Sequence, residues 1–240
     1  MTTPTTGNDE TARRPLWSWR VEWPHLLVLA AMFAAAAWAW PQATPPIPIH
    51  WDLHGQPNGY GGRFEGLLLV PLLASGVYLL LLLLPRIDPA RANYESFAGP
   101  FRVIRLAITI ALGAMQAFVI SVALGSTENP GRWVPVGVGL LLIVIGNVMG
   151  KVRPNYFVGV RTPWTLASAR SWEATNRLGG RVFVVGGVGL AIAGYLGNAP
   201  LLIALGIAAA ASFVWLMWVS YREWRDDPDR IPATGTRPAH

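Results

Sequence analysis

The apolar residues of this chain are gathered into six blocks with no charge at their centres, at residues 24–41, 66–84, 103–124, 133–150, 182–198 and 200–221. Each block approaches the roughly 20 residues that carry a helix across the hydrocarbon core of a bilayer. The pattern predicts an all-α, polytopic bundle of six transmembrane helices. Asn198, Ala199 and Pro200 alone separate the last two, which predicts a tight hairpin there because proline closes the preceding helix. The polar stretches divide the chain further: an N-terminal tail over 1–23, a membrane domain over 24–84, a linker loop and third helix over 85–132, a second membrane domain over 133–221 with a polar loop at 151–181, and a tail over 222–240. Met1–Arg14 and Asp226–His240 are rich in Thr, Pro, Gly and charge, a composition expected to be disordered.

Composition strengthens the membrane reading. Hydrophobic residues make up 52% of the 240, charged residues only 13%, and the mean hydropathy is +0.37, against about 25% charged in an average soluble domain. A net charge of +6 would suggest nucleic acid in a soluble chain. Here the positive residues flank the spans, where topology and anionic lipid account for them, and no direct nucleic-acid binding is expected. Of the 19 Lys and Arg residues, only Arg63 and Arg132 fall on the side opposite the termini. By the positive-inside rule both termini are then expected to be cytoplasmic. Trp17, Trp19, Trp38, Trp40, Trp133 and Trp218 fall near the ends of spans, as an aromatic belt would place them. Arg13 and Arg14 precede an apolar stretch, but it is long for a signal peptide and Trp-Ala-Trp-Pro is a poor cleavage site. With no cysteine, disulfides, thiolate metal sites and a thiol nucleophile are excluded.

The blocks lack Asp, Glu and Lys at their centres, and Arg102 and Arg105 sit near one end, where they are expected to snorkel. That argues against a proton-coupled pump. Gln116 is expected to form an interhelical hydrogen bond, and Gly146 with Gly150, and Gly186, Gly187, Gly189 and Gly194, to pack helices closely.

Two polar segments carry the chemistry. The first runs from Pro45 to Arg63 and holds His50, Asp52 and His54; residues two apart in an extended strand share a face, so these three are a possible zinc set, with Glu65 as a base. A fourth ligand is missing, His50 equally suits a hydrogen bond that fixes the loop, and no metal or other cofactor is expected. The second segment, Lys151–Arg181, is dense in Arg, Asn, Gly and Trp. Gly159 permits a turn, and Thr162 followed by Pro163 suits an N-cap and first helical position. Trp164 and Trp172 are expected to rest in the interface while Arg170 and Arg177 face headgroups. The alternative is a docking surface for a soluble partner, drawing on Asn155 and Arg161.

The run Arg153-Pro154-Asn155-Tyr156-Phe157-Val158-Gly159-Val160-Arg161-Thr162-Pro163-Trp164, followed by Trp172, Asn176-Arg177 and Gly179-Gly180, resembles the SdpI family of bacterial membrane immunity and signalling proteins. Asn155, Gly159, Arg161, Thr162, Pro163 and Trp164 match its inner motif. The stretch from Pro48 to Pro57 is similar to an uncharacterised membrane domain that often precedes the SdpI domain, with His50 and Gly55 as matching positions; Asn58 stands where relatives often have Asp, and His54 is not a family position. The resemblance implies a multi-pass protein of the bacterial inner membrane, with 133–221 as the SdpI-like domain. It implies immunity to a secreted toxin peptide, or signalling in which a small ArsR-type repressor is held at the membrane. A non-enzymatic protein of this type is the leading expectation; a metal-dependent membrane enzyme using His50, Asp52 and His54, and an uncoupled transporter, are the alternatives.

Overall fold

A computed structural model describes residues 17–52 and 55–231. In chain order these form α1 (Trp19–Ala39), strands β1 (Ile47–Trp51) and β2 (Pro57–Gly61), a short α2 (Arg63–Leu67), α3 (Leu69–Ile87), a 3₁₀ segment (Arg91–Phe97) leading into α4 (Ala98–Ala123), α5 (Pro130–Met149), a short α6 (Pro163–Leu166), α7 (Ala169–Leu196) and α8 (Ala199–Arg225). Six of the helices, α1, α3, α4, α5, α7 and α8, are long and apolar enough to cross a membrane, α4 together with the 3₁₀ segment before it. The multi-pass all-α expectation therefore holds, with one two-stranded antiparallel hairpin added. The tail expectations for residues 1–16 and 232–240 lie outside the described residues.

Three helices reach into sequence expected to be polar tail or loop. α1 starts at Trp19 because Glu22, in its first turn, finds a buried cation. α8 runs on to Arg225. The largest correction concerns the loop expected over 151–181: from Ala169 onward it is the first part of α7. Ser168 caps that helix, its hydroxyl accepting the Ser171 amide, and its polar residues Ser171, Thr175 and Asn176 turn into the protein. At 28 residues α7 is about 42 Å long, which exceeds the roughly 30 Å hydrocarbon core. Its first turns therefore stand outside the apolar layer.

α4 lies at the centre of the first half, against α1, α3 and α5. Gln116, buried on α4, donates from Nε2 to the Leu67 carbonyl at 2.8 Å, the interhelical bond expected of it. In the second half α5 and α7 make the most extensive contact, and α8 packs mainly on α7 with residues such as Ile203, Ile207 and Phe213 facing outward.

Glycine governs the α5–α7 contact. A Cβ added to Gly146 would lie 2.6 Å from the Gly180 carbonyl oxygen, and one added to Gly180 would lie 2.6 Å from that of Gly146. Gly139 and Gly187 make the same reciprocal approach two helical turns away, at 2.5 and 2.6 Å. Only glycine permits such close backbones, and small residues drive packing where lipid removes the hydrophobic incentive. The glycines of α7 serve two faces: Gly187 and Gly194 meet α5, Gly189 meets Leu205 of α8, and Gly186 meets nothing within 4 Å.

Gly146→Leu should force the two helices apart and lower the thermal unfolding temperature in detergent, at a cost of roughly 1–3 kcal/mol or more from overpacking. Gly186→Ala, in open space, should be neutral or slightly stabilising because alanine is the better helix former. Equal melting shifts for the two would contradict this packing.

Candidate functional site

The hairpin end of the bundle is built by β1 and β2. Ile47 is buried against Leu67 and Gly66, and the Trp51 ring meets Phe118 edge-on at 6.4 Å. His50 Nδ1 donates to Asn58 Oδ1 across the hairpin, so His50 fixes the loop, as one reading of the sequence expected. The strand ends at Trp51, and the two-apart alternation does not continue to Asp52. Asp52 instead closes the turn, its carbonyl accepting the Gly55 amide at 3.0 Å and its carboxylate the Gln56 amide at 2.9 Å. His54 lies outside the described residues. Among the described residues no group of three His, Asp or Glu side chains converges as metal ligands. Glu65 accepts the Gly62 amide at the start of α2.

Gly55 takes φ +76°, and a Cβ there would fall 1.9 Å from Asn129 Oδ1. Both the left-handed backbone and the contact demand glycine. Asn129 caps α5, so the hairpin of the first half is seated on the helix that opens the second.

At the opposite, arginine-rich end the backbone between α5 and α6 is irregular, and side chains satisfy it. Asn155, 1% exposed, donates to the Arg153 and Val158 carbonyls at 2.8 and 3.0 Å and accepts the Phe157 and Val158 amides at 2.9 and 2.6 Å. Gly159 turns the chain at φ +111°, where a Cβ would strike Asn176 Oδ1 at 2.5 Å; that same oxygen accepts the Val160 amide. Thr162 caps α6 and donates to Ser220 of α8, and Pro163 occupies the first helical position, as expected from the sequence. Trp172 corrects the interfacial expectation. It is wholly buried among Leu84, Tyr94, Phe97, Phe101, Ile104 and Val152, and its Nε1 donates to the Val152 carbonyl at 2.7 Å.

The loop is tied to the first half as well. Asp88, buried after α3, accepts the Tyr94 hydroxyl at 2.9 Å and the Tyr156 amide at 3.1 Å, and Asn93 donates to the Pro154 carbonyl. Facing outward are Arg161, which bonds the Tyr156 carbonyl, with the exposed rings of Tyr156 and Phe157. Trp164 is half-buried, edge-on to Tyr221 at 5.3 Å. Arg170 pairs with Glu223 at 2.9 Å. The motif residues thus divide into Asn155, Gly159, Thr162, Pro163 and Trp172, which build the platform, and Arg161 and Trp164, which reach its surface.

A second polar centre, with no counterpart in the sequence motifs, lies between α1, α3 and α4. Arg105 does not snorkel: its side chain is 1% exposed and grips Glu22 of α1 with both terminal nitrogens, at 3.1 and 2.7 Å. Tyr78 of α3 donates to the same carboxylate at 2.9 Å, and the rings of Trp17, Tyr78 and Phe101 stand 5.3, 5.8 and 5.9 Å from the guanidinium. The available signal was the pair itself, an arginine inside an apolar block and an acid just ahead of another, since a charge within a span requires a partner. Asp88 gave no such signal.

Residues 151–219 match the SdpI/YfhL protein family, and residues 27–74 match a domain of unknown function, DUF1648. The first match begins where the irregular platform begins, and the second contains the hairpin. A relative named Immunity protein SdpI, from Bacillus subtilis (strain 168), is 24% identical over 179 residues, spanning 75% of this chain and 84% of the relative. No solved structure matches. The chain is thus a multi-pass membrane protein whose DUF1648-like segment precedes its SdpI-like segment.

Removing either partner of the buried pair, by Glu22→Leu or Arg105→Met, should cost roughly 3–5 kcal/mol, whereas the double variant should regain much of the loss. Thermal unfolding of the three variants in detergent checks this; additive losses would contradict a coupled pair. Asn155→Ala should speed amide hydrogen exchange across residues 153–160 without affecting the spans, with a cost of about 1–3 kcal/mol for the orphaned backbone groups. Unchanged exchange there would show that Asn155 does not hold the platform.

Proposed function

We propose that this chain protects a bacterial cell against a secreted, envelope-active antimicrobial peptide, acting from the inner membrane by binding rather than catalysis. The observation that carries this reading is the similarity to Immunity protein SdpI, which extends over 75% of the chain. The positive-charge bias argues that the arginine-rich end faces the cytoplasm and the hairpin end faces outward. A peptide arriving from outside then meets the hairpin first. There Ile49 of β1 and Tyr60 of β2 are exposed on a hairpin that the His50–Asn58 hydrogen bond ties together and Gly55 seats on α5. Such exposed aromatic and aliphatic side chains on a fixed support suit recognition of an apolar or amphipathic peptide.

One feature favours a second role at the cytoplasmic end. The platform built by Asn155, Gly159, Thr162 and Trp172 holds Arg161, Tyr156 and Phe157 outward. In this reading it is the surface that keeps a soluble ArsR-type repressor at the membrane. The two roles are compatible, since the surfaces lie at opposite ends of the bundle.

Expressed in a peptide-sensitive bacterium, the chain should raise the inhibitory concentration of at least one secreted peptide, and Tyr60→Ala with Ile49→Ala should remove roughly tenfold of that protection, the loss expected for a binding hot spot. Arg161→Glu should leave protection intact while releasing a fluorescently tagged repressor from the membrane. Unchanged sensitivity to every peptide tried would overturn the protective role, and a repressor that is cytosolic with the unaltered chain would overturn the docking role.

A further inference from the structure

Beside the α5–α7 contact, at its arginine-rich end, lies a groove of about 490 Å³ lined by Gly146, Asn147, Gly150 and Gly180. Lys151, Arg177 and Arg181 stand around it, and no acidic residue lines it. Neighbouring cations differ: Arg153 pairs with Glu173 and Arg170 with Glu223. Among the described residues Lys151, Arg177 and Arg181 have no carboxylate partner. Three positive charges that converge without neutralisation repel one another, and an anion between them relieves that repulsion.

Shape narrows the choice of anion. Arg177 and Arg181 are one turn apart on the same face of α7, and the stem of Arg177 is fixed against Gly150, whose added Cβ would lie 3.3 to 3.6 Å from its Cα, Cβ and Cγ. The guanidinium fork suits phosphate oxygens better than a point charge would. On the side toward the hydrocarbon the groove is bounded by Val184 and Val185, and Val185 is 72% exposed. A polar, cationic mouth that continues into an apolar wall matches a headgroup followed by an acyl chain. The excess of α7 over the hydrocarbon core is about 12 Å, or roughly eight residues from Ala169, which sets Arg177 at the edge of the apolar layer and Arg181 about one turn within it, where long basic side chains reach back to headgroup height.

We propose that this groove binds the phosphate of an anionic phospholipid, with Lys151, Arg177 and Arg181 holding the headgroup and an acyl chain lying along Val184 and Val185. With three cations around one cleft, a headgroup bearing two phosphates fits it better than one bearing a single charge. Bound lipid would bridge α5 and α7 alongside the Gly146–Gly180 and Gly150–Arg177 contacts. The site is separate from the outward face of the platform at Arg161.

The test uses the full purified chain in nanodiscs or detergent. Cardiolipin or phosphatidylglycerol, but not phosphatidylcholine, should raise its melting temperature and remain attached in native mass spectrometry. Arg177→Gln with Arg181→Gln should weaken retention roughly tenfold or more, whereas Arg170→Gln, whose partner is Glu223, should not. Lys151→Gln, at an exposed position after α5, provides a milder variant whose elution as an intact monodisperse species guards against misfolding; it should weaken retention in the same direction. Equal stabilisation by anionic and zwitterionic lipid would overturn the proposal. So would protection by millimolar inorganic phosphate alone equal to that by the lipid, which would assign the groove to a free anion, and so would lipid retention unchanged in all groove variants.

Discussion

Buried backbone that leaves the helix survives only where its N–H and C=O groups find partners. Residues 150–162 depend on that condition more than any other segment. Asn155 takes four of their backbone groups, Asn176 takes the Val160 amide, and the Trp172 indole takes the Val152 carbonyl. Trp172 does so from the centre of an aromatic cluster that belongs to the other half of the molecule. The hydrogen bonding of the loop and the joining of the two halves are therefore one arrangement. To disturb the indole is to weaken both.

The halves are fastened at each end by different chemistry. At the hairpin end the fastening is steric, a left-handed glycine fitted against the capping side chain of α5. At the arginine-rich end it is polar, with Asp88 bonded to Tyr94 and to the Tyr156 amide. Between them α4 is anchored by a buried guanidinium gripping Glu22 and enclosed by aromatic rings. Desolvation would make that ion expensive alone; the bidentate carboxylate and the Tyr78 hydroxyl offset it.

Much of this was legible in the chain. Spans announce themselves because lipid demands long apolar runs, and Thr162-Pro163 and Asn198-Ala199-Pro200 carry local cap and turn chemistry that acts regardless of context. The start of α7 was hidden for the opposite reason. Ser171, Thr175 and Asn176 face a polar interior seam, so hydropathy there resembles that of a loop although the backbone is helical. Arg105 looked like a snorkelling residue because its partner is 83 positions away. The hairpin was half visible: glycine and asparagine marked the turn, while the strand ladder depends on Ile47 finding Leu67. At the site, sequence singled out the motif residues without showing which point inward. Asn155 and Arg161 are both polar, and only the fold separates the staple from the exposed cation.

The reciprocal glycines of α5 and α7 fix more than distance. Because Gly139 faces Gly187 and Gly146 faces Gly180, at equal steps on both helices, a slip by one turn would drive carbonyls into side chains. The two helices are thus held in one register, as a single rod. One tip of that rod, at Asn129, touches the hairpin turn, and the other ends where the platform begins at Lys151. The hairpin turn and the platform are thus joined by one continuous, close-packed helix pair, with no irregular segment between them.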